Sequence, residues 1–141
     1  MSNDMQTIKS QKTAIAPMLS VRRGARAIEF YKAAFGAEEL FRIDDETGRV
    51  VAQLSVMGAE FWLADESPEH FNFSPESLGG GSVRMAMIVE DPDTVFNRAV
   101  AAGATVVWPV TEQHGWCLGR VVDPFGHHWE IGKPLCEGLK Q

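Results

Sequence analysis

Apolar residues recur along the chain with two different periods. Between Gly24 and Phe35 the side chains of Ala27, Ile28, Tyr31, Ala34 and Phe35 fall on one helical stripe, while Glu29 and Lys32 face away. Gly36 follows where a left-handed stop is expected, so the spacing predicts a helix over 24–35. A second stripe, Val95, Phe96, Ala99 and Ala102, comes after Asp91-Pro92-Asp93. There Asp91 can cap a helix, Pro92 suits its first position, and Gly103 ends it. Around these helices lie shorter runs rich in β-branched and aromatic residues: 13–21, 38–43, 49–57 and 59–64, then 82–90, 104–108, 116–122 and 128–132. Pro17 interrupts the first run, which suits an edge or irregular strand. Polar residues 44–48 and the sequence Asp123-Pro124-Phe125-Gly126 supply turns.

The order strand, helix, three strands therefore occurs twice. Sliding the chain against itself by 68 positions places Val21 on Val89, Gly58 on Gly126 and Phe61 on Trp129; a shift of 67 places Gly36-Ala37 on Gly103-Ala104. Equivalent helix stops and strand starts coincide, as a duplicated βαβββ unit requires. We expect one domain over 14–134, made of module one (14–65), a linker (66–81) carrying Pro68, Pro75 and three consecutive glycines, and module two (82–134). Residues 1–13 and 135–141 are expected to be loose tails.

Composition narrows the picture. A chain of 141 residues, 45% hydrophobic and 23% charged, suits one globular domain. Its net charge of −6 opposes phosphate backbones and anionic lipid, so neither nucleic acid nor a membrane is expected as partner. There is no apolar run of ~20 residues and the N-terminus has no signal-like stretch, which points to the cytoplasm. Cys117 and Cys136 form no C-x-x-C pattern and are expected to be reduced thiols.

With its repeated βαβββ order, the segments Met18-Leu19-Ser20-Val21 and Ala27-Ile28-Glu29-Phe30-Tyr31, and the closing run from Asp123 to Ile131, the chain resembles the vicinal-oxygen-chelate superfamily of glyoxalase I, bleomycin-resistance proteins and extradiol dioxygenases. It is similar in detail to the PhnB-like branch. The resemblance implies an α+β fold, two βαβββ modules forming a curved, mostly antiparallel cup-shaped sheet, and a homodimer. Metal-dependent members draw four ligands from the first and last strand of each module; the matching positions here are Ala16, Trp62, Arg84 and Glu130. Only Glu130 can bind a divalent cation, so we expect no metal cofactor and place Arg84 where the cation would lie, facing Glu130. That pair either binds a ligand or is a cross-strand ion pair neutralising a buried carboxylate.

Strand alternation puts His128 and Glu130 on the cup's face, with Arg84, Ala86 and Ile88, with Ala16, Met18 and Ser20, and with Glu60 and Trp62. His127, Trp129 and Ile131 point the other way, and Phe61 and Trp129 are expected under the helices. The expected ligand contacts are Met18, Glu60, Trp62, Arg84, His128 and Glu130, with Trp108, Trp116, Phe71 and Phe73 near the rim. His70 and His114 are expected in solvent-exposed loops. A Tyr-Gly-x-Arg pattern used by some relatives would put an arginine near Cys117, and none is expected there. Three functions follow: a binding or sequestration protein for a small organic molecule, cationic or amphipathic; a metal-independent enzyme in which His128 and Glu130 move protons; or a metal-dependent lyase, isomerase or dioxygenase. The acidic charge, the aromatic cup and the missing ligands favour the first.

Overall fold

The computed structural model describes residues 11–135. Each half of the chain builds a four-stranded sheet with one helix across one face. Module one comprises β1 (Met18–Val21), α1 (Gly24–Phe35), β2 (Glu38–Asp44), β3 (Val50–Val56) and β4 (Ala59–Asp65). A 3-10 turn (Pro68–His70) and a short helix α2 (Pro75–Leu78) lead to module two: β5 (Met85–Ile88), α3 (Pro92–Ala102), β6 (Thr105–Gln113), β7 (Trp116–Val122) and β8 (His128–Pro134). The sheet orders are β1-β4-β3-β2 and β5-β8-β7-β6. In each, the first strand pairs parallel with the last and the remaining pairs are antiparallel. This is the α+β fold of two βαβββ modules that the resemblance implies.

The duplication extends to register. Met18 pairs with Trp62 in module one and Ala86 with Glu130 in module two, both pairs related by the 68-position shift. The neighbouring pairs Leu54–Phe61 and Val121–Trp129 are related by 67 on one strand and 68 on the other. The one-residue change is absorbed in the hairpins: Met57-Gly58 links β3 to β4, whereas Pro124-Phe125-Gly126 stands between the bonded residues Asp123 and His127. Met57 (φ 51°) and Gly58 (φ 91°) both lie in the left-handed region, the backbone a two-residue hairpin needs for strands of right-handed twist.

Alternation sorts the side chains. Leu19, Val21, Ala52, Leu54, Phe61 and Leu63 of the first sheet and Val121, Trp129 and Ile131 of the second are buried in the core. An aromatic cluster makes one core of the two modules: Tyr31 of α1 lies 5.5 Å from the rings of both Phe61 and Trp129, and Phe35 lies 4.8 Å from Trp129. Asp123 is the polar pin of that core. One carboxylate oxygen accepts the amides of Phe125 and His127 at 2.9 Å; the other accepts the indole N–H of Trp129 at 2.9 Å and the hydroxyl of Tyr31. Burial, and then the neighbouring Asp123 carboxylate, push the Tyr31 phenol well above its ordinary value of 10.0.

Several boundaries differ from the sequence reading. Residues 13–17 are not a strand: Pro17 has no N–H to give, although its carbonyl accepts the amide of Trp62 at 2.9 Å. The run 82–90 contracts to β5, leaving Arg84 one residue before the strand. Instead of stopping at Trp108, β6 continues through Pro109 to Gln113; it is an edge strand, where a missing N–H is tolerated, and its register shifts on either side of Trp108. The linker is anchored. Ser74 caps α2 by accepting the Ser77 amide at 3.2 Å, and Glu66 accepts the amide of Ser74 (2.8 Å) and the hydroxyl of Ser77 (2.9 Å). The Ser74 amide leads the bonds that hold the Glu66 carboxyl below its usual range. The expected tails, and Cys136, lie largely outside the described residues.

Candidate functional site

The faces of the two sheets turned away from the helices carry equivalent rows across four strands. In module one the row is Met18, Trp62, Gln53 and Phe41, and in module two Ala86, Glu130, Arg120 and Trp108. In each row an edge-strand aromatic covers a neighbour: Phe41 meets Trp62 edge-on at 5.7 Å, and Trp108 lies 4.3 Å from the guanidinium carbon of Arg120. The first row is mainly apolar, and the second carries charge.

Arg120 was missed by the sequence reading, which expected no arginine in this part of the strand. Its Nη2 donates to Glu130 Oε2 at 2.6 Å, and Arg84 Nε approaches the same oxygen at 3.0 Å. Arg84 and Glu130 thus face one another as expected, but Arg120 makes the shorter contact. The signal was present: Arg120 stands three residues before Asp123 and Glu130 three after His127, and Asp123 and His127 close the hairpin, so the two must be cross-strand partners. Glu130 and Arg120 are largely covered, at 16% and 18% side-chain exposure, whereas Arg84 is 56% exposed. Arg120 Nε and His128 Nδ1 are buried without a hydrogen-bond partner.

A cavity of about 660 Å³ lies where the two modules and the linker meet. Module one contributes Met18, Leu19 and Ser20; module two contributes Arg84, Met85, Arg120 and His128; the linker covers it with Phe73, Leu78 and Gly80-Gly81. His127 also lines the cavity rather than turning away, because it precedes β8 in the closing turn, and its Nε2 lies 2.9 Å from the carbonyl oxygen of Ser20. Of the expected contacts, Met18, Arg84 and His128 come together here, with Glu130 behind the two guanidiniums. Glu60 and Trp62 do not line this cavity; Glu60 accepts from Gln53 Nε2 at 2.9 Å and Trp62 packs on Phe41. Phe73 reaches the cavity, and Phe71 stands 84% exposed outside it. His70 bonds Ser67 through Nδ1 at 2.6 Å, and His114 sits in the β6–β7 turn.

These residues do not fit a divalent cation. At the four positions expected from the resemblance stand an alanine, a tryptophan, an arginine and Glu130, and the last already holds two guanidiniums on one oxygen. Among the described residues no group of three or more His, Cys, Asp or Glu is arranged to hold a metal ion. No helix of the described residues is long and apolar enough to cross a membrane.

Residues 17–132 match the glyoxalase-like domain family. A protein of Mycobacterium bovis described as uncharacterised is 42% identical over 129 residues, covering 88% of this chain and 85% of its own length. Among solved structures, a gene product of Arabidopsis thaliana superposes with a TM-score of 0.63 at 31% identity, covering 85% of this chain and 96% of its own. A fosfomycin resistance protein of Listeria monocytogenes, crystallised with Mn(II) and sulfate, superposes with a TM-score of 0.69 at 16% identity, covering 93% of this chain and 99% of its own. At that identity it shares the fold alone.

Proposed function

We propose that this chain, which belongs to the glyoxalase-like domain family, binds and sequesters a small organic molecule in the cavity between its modules, without a divalent metal. The observation that carries this reading is the cavity itself. Its volume of about 660 Å³ lies within the ~300–1,000 Å³ of organic-ligand sites, and its walls combine apolar side chains with a few converging polar groups. A fold family alone does not name an activity, so the argument rests on the site. Acid–base catalysis by His128 and Glu130 has weaker support: Glu130 lies behind Arg84 and Arg120, which both engage its Oε2.

The proposal includes a homodimer and a place in the PhnB-like branch. The branch rests on the segments quoted from the sequence. For the dimer, support comes from the unhelixed sheet faces, where Phe41, Ile43 and Val51 of module one and Trp108 of module two stay 37–54% exposed. Apolar surface so grouped is usually covered by a partner.

Native mass spectrometry of the purified full chain against a panel of aromatic amphiphiles tests the binding reading. The expected result is stoichiometric complexes that release the added compound unchanged, with NMR shifts at Met18, Leu19 and Met85. Chemical conversion of the compound, or one equivalent of tightly held transition metal, would count against it.

A further inference from the structure

Although the chain carries a net charge of −6, its cavity is lined by Arg84, Arg120, His127 and His128 and, among the described residues, by no aspartate or glutamate. Among the described residues Glu130 alone approaches the two guanidiniums, and it offers both of them the same oxygen. Two fixed positive charges therefore face one negative charge, leaving an excess of about one positive charge where the ligand would lie. The surplus sits on Arg84. Its side chain is 56% exposed, its only close acidic contact is at Nε, and its terminal amino groups make no hydrogen bond to the protein among the described residues. Those groups form the fork that meets a carboxylate or phosphonate in two parallel bonds. Arg120, by contrast, is held by Glu130 below and Trp108 above. On the facing walls Met18, Leu19, Phe73, Leu78, Val83 and Met85 supply apolar surface, which would hold the body of such a molecule while its head reached Arg84.

We infer that the ligand is an anionic amphiphile, a carboxylate or phosphonate attached to an apolar body, with Arg84 as the anion-binding residue. This rests on the small-molecule reading above and reverses the cationic ligand that the chain's overall acidity suggests. An acidic protein attracts cations without specificity, so preference for an anion has to come from the local site.

Three probes with the same ring and different heads test it: 2-naphthoate, 2-naphthamide and 2-naphthylmethylammonium, titrated into the full chain by calorimetry and located by NMR shifts of the cavity residues. The expected result is that the carboxylate binds at least ~10-fold more tightly than the amide and that the ammonium binds more weakly than either. In Arg84→Gln the carboxylate should lose this advantage while amide affinity stays within about two-fold, and Arg84→Lys should keep part of it. Cavity shifts with the amide or ammonium binding as tightly as the carboxylate would overturn the anionic ligand and leave the small-molecule reading standing. Cavity residues unmoved by all three probes would overturn both.

Discussion

Removing the two guanidiniums one at a time separates what holds the sheet together from what is free to bind. Arg84 is 56% exposed and meets Glu130 at 3.0 Å from Nε. An ion pair so open to solvent is worth about 0–1 kcal/mol, so Arg84→Leu should lower stability by no more than ~1 kcal/mol. Arg120 is only 18% exposed, donates at 2.6 Å to a carboxylate that is 16% exposed, and lies 4.3 Å from the Trp108 ring. Its loss removes a charge-assisted bond worth about 1.5–3 kcal/mol and a cation–π contact worth about 0.5–1 kcal/mol. It also leaves a covered carboxylate with its more exposed partner alone, so Arg120→Leu should cost ~2–4 kcal/mol. Urea unfolding followed by tryptophan fluorescence reads both, and an unchanged slope shows that the two variants unfold from the same native state. Equal losses, or a larger one for Arg84→Leu, would refute the reasoning, because Arg84 would then be structural and unavailable to a ligand.

Other expectations concern the frame around the site. Asp123→Asn replaces one of two fully used acceptor oxygens by a donor facing the Trp129 indole N–H, and should cost ~2–4 kcal/mol in the same urea assay; a loss below 1 kcal/mol would remove Asp123 as the pin between modules. Tyr31 is the chain's single tyrosine, and its phenol is raised well above 10.0 in the folded state. Its contribution to stability is complete below pH ~10 and falls by about 1.4 kcal/mol per pH unit above that, since only the unfolded chain ionises readily. In alkaline titration, tyrosinate absorbance should therefore rise together with loss of the circular dichroism signal; an ionisation step near pH 10 in folded protein would contradict this. Met57→Asn should stabilise the β3–β4 hairpin by ~0.5–1 kcal/mol, because Met57 stands 88% exposed at φ 51°, a conformation asparagine adopts more readily; a lower melting temperature would contradict it.

Much of the fold was legible because its signals are local. The stripe ending at Gly36 places α1 at 24–35, and Asp91-Pro92 places the start of α3. The edges of the sheets were less legible. A proline ordinarily argues against a strand, yet Pro109 sits inside β6, since an outer edge does not need every N–H; only the finished sheet order reveals that β6 is an edge. Glycines and prolines marked 66–81 only as a linker, and its anchoring by Glu66 and Ser74 comes from contacts between residues eight apart that no local pattern displays. At the site, alternation paired the correct face of β8 with Arg84. The contribution of Arg120 is legible by counting outward from the Asp123–His127 hairpin, which makes it the cross-strand partner of Glu130. That the linker, and not Trp62, covers the cavity depends on how two modules pack against each other, which no periodicity encodes.

On the proposal above, the space between the modules holds an organic molecule against Arg84, while Arg84 and Arg120 both engage Glu130. A crystal of the full chain grown with 2-naphthoate and trace Zn(II) and Mn(II), examined for anomalous scattering, tests it most directly. The expected result is density for the naphthyl group beside Met18 and Met85, its carboxylate on Arg84, and no anomalous peak near Glu130. A metal bound to Glu130 with Arg84 and Arg120 swung away would contradict it.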